Sequence, residues 1–349
     1  MLLFPYILRP KGSSTRIRSG RFCKRVDSAS KKSIRNQYAT ILQRNDLIAI
    51  DLGSNTLRVI QIDCEKSHYI AEYEKIVKTA DGLASTGIVN DAAAERVIAA
   101  ILEAKTKFDF EKHPLKAVAT EAIRKAENAG AVLGRIKKET GVDFEVISGE
   151  EEARLTLLAV KHRLSQLHYA SQNFVVADIG GGSTELIFHY EDEVIVRSFP
   201  IGIVTMAQRY QTLEAIQKAL PDVMLSLEKF CAEIFATKGE LHALVATAGT
   251  PTSVAAMKLG QTYATYNAKK INGLTLTVDE LDFYLEKLLA MPFDKREETC
   301  GTGRSDLIAA GILIFKHLFG ILECDKCIVI DDSLREGVAL EGCRGMLQK

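Results

Sequence analysis

The chain has 349 residues, of which 47% are hydrophobic and 26% charged, and its 45 basic residues balance its 45 acidic residues. This length and composition are typical of a globular protein with two hydrophobic cores. The run from Leu307 to Phe315 comes nearest to a membrane span and is too short for one. The seven cysteines show no regular spacing. We therefore predict a protein of the reducing cytoplasm, without membrane spans and without a disulfide framework.

The first 45 residues are strongly basic. They contain eleven Lys or Arg residues and a single acid, Asp27, together with six serines and no sustained apolar period. This composition predicts a disordered extension rather than part of a core. Such a segment could contact nucleic acid, an anionic membrane or a polyanionic substrate, could be an organellar transit peptide, or could be a passive tail. The sequence leaves these alternatives open.

Two segments further along share one pattern, in which an apolar strand, a glycine turn and a second strand follow each other. The first is centred on Asp51-Leu-Gly-Ser-Asn-Thr56 and the second on Asp178-Ile-Gly-Gly-Gly-Ser-Thr184. Aligning the two leading aspartates also aligns Gly53 with Gly180. Equivalent hairpins in two halves of a chain predict a duplication, with one α/β domain built on each hairpin.

Helical and extended patterns follow each hairpin. Apolar residues at helical spacing predict four helices, and short apolar runs predict four further strands. The predicted helices are Asp91–Phe108, Glu150–Leu167, Leu213–Thr237 and Thr277–Met291, and the predicted strands are Lys116–Thr120, Phe144–Ser148, Leu241–Thr247 and Lys326–Ile330. We predict domain I over residues 46–168, domain II over residues 169–332, and a C-terminal helix over residues 333–349 that returns to domain I.

The two glycine turns have the chemistry of a phosphate site. Glycines let the backbone turn sharply and bring amide groups close to an anion, and the hydroxyls that follow add donors. Each turn begins with an aspartate at a strand end, where a carboxylate can hold Mg²⁺ beside a phosphate. Neither turn matches GxxxxGK[ST] or GxGxxG, which disfavours a P-loop NTPase or a dinucleotide-binding dehydrogenase. A third turn, Ala246–Thr252, is either a further anion site at a helix start or a simple connection.

The motifs around these turns resemble those of the exopolyphosphatase and guanosine pentaphosphate phosphatase (Ppx/GppA) family, within the actin, sugar kinase and heat-shock superfamily. The resemblance runs from Ile48 to about Leu340. It is carried by AIDLGSNTLR (49–58), ATEAIRKAENA (119–129), ISGEEEARL (147–155), VADIGGGSTELI (176–187), FPIGIVTM (199–206), ATAGTPTSVAA (246–256), RSDLIAAGILI (304–314) and SLREGV (333–338). The resemblance implies an α/β fold of two actin-like (ribonuclease H-like) domains with a phosphate-binding cleft between them.

The resemblance also implies roles for particular residues. Glu152 matches the family's proposed general base for the attacking water, Glu185 a second carboxylate that orients water or metal, and Arg124 an arginine that contacts substrate phosphate. Asp178 matches the position near Mg²⁺ and Asp51 is its counterpart, so the implied ligands of Mg²⁺, or alternatively Mn²⁺, are Asp51, Asp178 and Glu185. The implied phosphate-binding residues are Gly53, Ser54, Asn55, Thr56, Gly180, Gly181, Gly182, Ser183, Thr184, Gly249 and Thr250. Weaker candidates for the same cleft are Arg58, Arg154, Arg304 and Arg335.

The implied reaction is hydrolysis of a terminal phosphoanhydride. Glu152 would activate water for attack on the end phosphoryl group of inorganic polyphosphate, or of the guanosine pentaphosphate pppGpp to give the tetraphosphate ppGpp. The resemblance further implies a homodimer, and we expect neither specific nucleic-acid binding nor membrane association. The sequence does not rank polyphosphate against pppGpp.

Two other functions remain as alternatives. A kinase or ATPase of the same superfamily would share the glycine turns, but the ISGEEEAR segment favours hydrolysis. A non-catalytic sensor of polyphosphate or of the guanosine alarmone would also bind such ligands, but the presence of both Glu152 and Glu185 weighs against it.

Three local features carry weaker expectations. The acidic run Glu150–Glu152 is expected to raise one carboxyl pKa by mutual repulsion. Long family members continue past the position of Lys349 into an added helical region, so processive action on long polyphosphate is in doubt. Cys324 and Cys327 are spaced as CxxC, but without a second pair we expect no zinc site.

Overall fold

The computed structural model describes residues 45–169, 173–239 and 241–348. The predicted basic extension, apart from Asn45, lies outside these ranges. The described residues form two α/β lobes, one built on a five-stranded sheet and the other on a six-stranded sheet. Within these ranges, every helix is too short or too polar to span a bilayer.

Lobe I is built on a mixed sheet in the order β3-β2-β1-β4-β5. Its strands are β1 (Asp46–Leu52), β2 (Thr56–Asp63), β3 (His68–Ile76), β4 (Leu115–Ala119) and β5 (Glu145–Val146). The first three strands pair antiparallel, whereas β4 runs parallel to β1 and β5 parallel to β4. The helices of this part of the chain are α1 (Leu83–Thr86), α2 (Asp91–Lys105), α3 (Glu121–Lys125), α4 (Ala129–Thr140) and α5 (Gly149–Gln166).

Every residue of β1 is buried, because helices cover both faces of its sheet. Successive side chains of a strand point to opposite faces. Ile48 and Ile50 accordingly pack with residues of α2 and α4, such as Ile101, in one core cluster. Leu47 and Ala49 pack in a separate cluster with residues of α13 (Leu334–Leu347), the last helix of the chain.

Lobe II repeats this arrangement on a sheet in the order β10-β11-β9-β6-β7-β8. Its strands are β6 (Phe174–Ile179), β7 (Thr184–His189), β8 (Val194–Phe199), β9 (Ala243–Thr247), β10 (Leu274–Thr277) and β11 (Lys326–Val329). As in lobe I, three antiparallel strands are followed by a strand, β9, that runs parallel to the first of them. The helices are α6 (Ile203–Tyr210), α7 (Leu213–Lys238), α8 (Gly249–Lys258), α9 (Ala268–Ile271), α10 (Val278–Ala290), α11 (Phe293–Cys300) and α12 (Ser305–Ile321).

The four helices and four short strands predicted from apolar patterns are all present, with bounds shifted by a few residues. Strands β3, β8 and β10 were not predicted. The first two contain exposed positions on both faces, and β8 lies at a sheet edge, as do β3 and β10. Edge strands lack a regular burial period, and their sequences therefore give only a weak strand signal.

One disulfide, between Cys64 and Cys343, joins the chain just after β2 to the C-terminal helix α13. This disulfide was not predicted, because the two cysteines are 279 residues apart and no spacing pattern links them. The other cysteines in the described ranges are free thiols, including Cys324 and Cys327. The disulfide therefore ties α13 to the hairpin of lobe I by a single cross-link.

Candidate functional site

The two predicted glycine turns meet where the lobes face each other. Both turns close in the same way: the Gly53 N–H donates to the Thr56 carbonyl at 2.9 Å, and the Gly180 N–H donates to the Ser183 carbonyl at 2.9 Å. The turns are in contact, since a Cβ atom on Gly181 would lie 2.9 Å from the Cβ of Ser54. A residue without a side chain is required there so that the two backbones can approach.

A small cavity of about 90 Å³ lies at this meeting point. Four carboxylates line it: Asp51 and Asp178 at the ends of β1 and β6, Glu121 at the start of α3, and Glu152 in the first turn of α5. The other lining residues are Gly53, Ser54, Asn55, Thr56, Arg58, Thr120, Ile179, Gly180, Gly181, Gly182, Ser183, Ile203, Ala248, Gly249, Arg304, Ser333 and Leu334. Acidic oxygens beside glycine amides can hold a divalent cation and a phosphate together.

The sheet topology explains why these segments converge. Because β4 runs parallel to β1, the carboxyl ends of these two strands lie at the same end of the lobe I sheet. In the same way, β9 runs parallel to β6, and their carboxyl ends lie together in lobe II. Thr120 and Glu121 follow β4, and Ala248 and Gly249 follow β9. The third glycine turn thus reaches the same cavity as the two hairpins.

Four predicted residues do not line the cavity themselves. The Thr184 hydroxyl donates to the Ile201 carbonyl. Thr250 is fully buried and its hydroxyl has no hydrogen-bond partner. Glu185 is buried and accepts a 2.7 Å hydrogen bond from Ser198 Oγ, whereas Arg124 contacts two lining carboxylates, those of Glu121 and Glu152.

The weaker arginine candidates divide into two groups. Arg58 and Arg304 line the cavity, and Arg335 lines a larger chamber of about 360 Å³ beside it. Arg154 lies instead on the outer surface, where it pairs with Glu151 and Glu341 and its side chain is 49% exposed. The expectation that Arg154 faces the cleft is therefore wrong, because helix α5 turns the Arg154 side chain toward solvent.

Burial perturbs the acids of the site. Loss of hydration raises the pKa of Asp51 to about 6, of Asp178 to about 6 and of Glu185 to about 7. The pKa of Glu152 is also raised, by burial first and then by the charge of Glu185, against the opposing effect of Arg124. These carboxyl groups therefore take up protons at higher pH than exposed acids.

The acidic run at the start of α5 does not behave as expected. The pKa of Glu151 is lowered, because its carboxylate accepts hydrogen bonds from Arg154. Mutual repulsion with its sequence neighbours is thus not the cause of the raised pKa of Glu152, which results from burial and from Glu185. The helix places Glu152 toward the cleft and Glu151 toward solvent.

Sequence reasoning missed Glu121. It lies in the ATEAIR motif, of which only the arginine was assigned. A signal was nevertheless present: Glu121 follows the end of a buried strand, the position at which α/β proteins concentrate functional side chains. Arg58 and Arg304, by contrast, were among the weaker candidates for the cleft, and both line the cavity.

The lobes have the predicted α/β fold class, two mixed sheets flanked by helices, with the glycine turns of the two lobes facing each other. The chain matches the Ppx/GppA phosphatase family over residues 58–344, and it therefore belongs to that family. The resemblance inferred from the motifs is confirmed.

Named relatives and solved structures agree with this assignment. Exopolyphosphatase 1 of Mycobacterium tuberculosis is 29% identical over 312 residues, covering 83% of this chain and 86% of the relative. A guanosine-5'-triphosphate,3'-diphosphate pyrophosphatase of Photobacterium profundum is 28% identical over 304 residues, covering 84% of this chain and 58% of the relative. The crystal structure of the Aquifex aeolicus family member is 32% identical, covers 86% of this chain and 98% of its own, and has a TM-score of 0.68.

Proposed function

We propose that this protein is a phosphoanhydride hydrolase that removes the terminal phosphate of inorganic polyphosphate, or converts pppGpp to ppGpp. The observation that carries the proposal is a half-buried glutamate, Glu152, in a cavity walled by the glycine turns of both lobes. Relatives named as an exopolyphosphatase and as a guanosine pyrophosphatase support this class of reaction.

In the proposed reaction, water attacks the terminal phosphorus in line with the bridging oxygen. Glu152 accepts a proton from the water as the new phosphorus–oxygen bond forms and the anhydride bond breaks. The products are orthophosphate and a substrate shortened by one phosphate. Amides of the turns around Gly53 and Gly181, with Arg124, would hold the phosphoryl oxygens, so positioning and charge neutralisation supply most of the acceleration.

The two adjoining spaces suit the two ends of such a substrate. The smaller cavity has room for a terminal phosphoryl group, and the chamber beside it shares Arg58 and Arg304 with it. The chamber also contains Arg335 and the aromatic rings of Tyr263 and Tyr266. Guanidinium groups suit further phosphates and aromatic rings suit a nucleobase, so both substrates remain within the proposal.

We propose Mg²⁺, or Mn²⁺, as the cofactor. Asp51 Oδ1 is buried without a hydrogen-bond partner, and both Asp51 and Asp178 line the cavity, so the donors present fit a hard cation. In the part of the chain that the structure describes, no group of three or more His, Cys, Asp or Glu side chains is arranged to hold a metal alone. A cation held by one or two carboxylates, water and substrate phosphate is the usual mode for Mg²⁺. When bound, it would neutralise charge on the phosphoryl oxygens.

Removal of divalent cations is expected to abolish phosphate release, and added Mg²⁺ is expected to restore it. The Asp51→Asn variant should need at least about tenfold more Mg²⁺ for half-maximal activity, since altered metal surroundings cost 10- to 100-fold in affinity. Asp46→Asn is a matched control, because Asp46 is a buried aspartate at the opposite end of the same strand. Equal Mg²⁺ requirements for the two variants would contradict the proposed site.

The acid limb of the pH profile for phosphate release should lie at an unusually high pH. A general base works only when ionised, and the pKa of Glu152 is raised above its ordinary value of 4.5. Activity is therefore expected to be present above this raised pKa and to be lost as the pH falls through it. The measurement is kcat/KM across pH 4 to 9, which reports groups of the free enzyme, with melting curves at each pH. An acid limb at the ordinary glutamate value of 4.5 would contradict the prediction.

The test of the function as a whole is orthophosphate release from long-chain polyphosphate, short-chain polyphosphate and pppGpp, each with and without Mg²⁺. Release from at least one of them supports the proposal. ATP turnover without release from any of the three would favour the kinase or ATPase alternative, and tight binding without release would favour a sensor. The homodimer remains part of the proposal and is tested by the molar mass in solution from light scattering.

A further inference from the structure

Glu121 is a buried acid that the proposed reaction does not use. It is the first residue of α3 and lines the same cavity as Glu152, with only 8% of its surface exposed. A buried carboxylate is costly unless it is paired, so its contacts indicate its purpose.

The guanidinium of Arg124 has three acceptors, and Glu121 provides one of the two close ones. Arg124 Nη2 donates to Glu121 Oε2 at 2.7 Å, and Nη1 donates to the Ile147 carbonyl at 2.7 Å. The contact of Nη1 with Glu152 Oε2 is longer, at 3.3 Å. The main counter-ion of Arg124 is therefore Glu121, and Glu152 is held only weakly.

Glu121 is itself fixed in charge and in place. Burial acts to raise its pKa, but the hydrogen bonds and charges of Lys125 and Arg124 outweigh that effect and lower the pKa. A Cβ atom on Gly182 would lie 2.7 Å from the Glu121 Cγ. The aliphatic part of the Glu121 side chain therefore packs against the glycine turn of lobe II. The carboxylate thus remains an anion in a confined position.

We propose that Glu121 is a positioning residue that holds Arg124 in the orientation needed for the terminal phosphate and keeps Glu152 free to accept a proton. The inference rests on the proposed function, in which Arg124 and Glu152 have separate tasks. Without Glu121, the nearest carboxylate with which Arg124 already makes contact is that of Glu152. A close pair between them would occupy the oxygen that must take the proton and would turn the guanidinium away from the substrate.

The kinetic test compares Glu121→Gln with Lys125→Arg. Glutamine keeps the shape of the side chain and removes its charge, and kcat is expected to fall by up to about 100-fold, the cost of a misplaced catalytic group, with a much smaller change in KM. Lys125→Arg keeps a cation beside Glu121, and wild-type kinetics are expected. Equal kcat values for the two variants would overturn the proposal, as would a loss of thermal stability in Glu121→Gln without any loss of kcat.

A conservative variant and a structure complete the test. Glu121→Asp keeps the charge and should recover part of the kcat that is lost without it. This variant can be measured even if Glu121→Gln fails to fold. A kcat of Glu121→Asp no better than that of a variant without the charge overturns the proposal. In a crystal structure of Glu121→Gln, the Arg124 guanidinium is expected to leave the Ile147 carbonyl and pair closely with Glu152. An unchanged guanidinium contradicts the inference. The crystal structure requires no enzymatic activity. If the wild type released no phosphate, the proposed function would be rejected, and the position of the Arg124 guanidinium would still test the role of Glu121.

Discussion

Replacement of Glu152 by glutamine is expected to lower kcat for phosphate release by about 10²- to 10⁴-fold, the range over which general base catalysis contributes. Glutamine has nearly the same shape but cannot accept a proton from water. The side chain is 15% exposed and its contact with Arg124 is long, at 3.3 Å, so the fold should tolerate the change. The measurement is steady-state release from polyphosphate and pppGpp, with circular dichroism to confirm folding.

Glu151→Gln is the matched control for this experiment. The two glutamates are adjacent in the first turn of α5, but Glu151 is 40% exposed and pairs with Arg154 on the outer surface. Its replacement should leave kcat within about twofold of wild type and the free energy of unfolding within about 0.5 kcal/mol, as for other surface substitutions. If Glu152→Gln kept wild-type turnover on every substrate, Glu152 would not be the base.

Replacement of Gly202 by alanine is expected to damage both stability and activity. Gly202 precedes α6, whose first N–H groups bind the turn of lobe II: Ile203 N–H donates to Gly180 O at 3.1 Å and Val204 N–H donates to Gly181 O at 2.8 Å. A Cβ atom on Gly202 would overlap the Gly181 carbonyl. Because the C=O and N–H of one peptide unit point in opposite directions, these contacts orient the N–H groups of Gly181 and Gly182 away from α6.

Gly202→Ala should therefore lower the free energy of unfolding by about 1–3 kcal/mol or more, the usual cost of overpacking, and should lower kcat/KM at the same time. Gly134→Ala is the control, since nothing lies within 4 Å of its Cβ position in the helix α4. Alanine in a helix interior stabilises by about 0.5–1 kcal/mol relative to glycine, so the two variants should change stability in opposite directions. Urea unfolding measures this difference, and the same change for both variants would contradict the packing argument.

The parts of the fold that sequence could predict are those specified by local chemistry. The hairpins around Gly53 and Gly180 combine apolar strands with glycine turns, and both are present with equivalent closing hydrogen bonds. The four helices predicted from apolar spacing are present, and only their ends shifted, whereas the 17-residue helix α12 was not predicted. The motifs then identified the family, because many of them occur in order.

The parts that could not be predicted depend on contacts between distant segments. The direction of Arg154 depends on how α5 packs against α13 and the sheet of lobe II, where the preceding residue, Ala153, is buried. Thr184 and Glu185 follow the glycine turn in sequence, but their strand directs both into buried hydrogen bonds outside the cavity lining. The place of Glu121 in the site follows from its contacts with Arg124 and with the turn at Gly182, and these contacts are visible only in the fold.

The central claim is that the glycine turns of both lobes bind the same phosphoryl group. The most direct measurement is a crystal structure of Glu152→Gln, in which turnover is slow, with Mg²⁺ and inorganic tripolyphosphate. We expect the terminal phosphate in the cavity between Gly53–Thr56 and Gly180–Ser183, with amide donors from both turns within hydrogen-bond distance, about 2.7–3.2 Å. Ordered tripolyphosphate that touched only one turn, or that lay outside this cavity, would contradict the account.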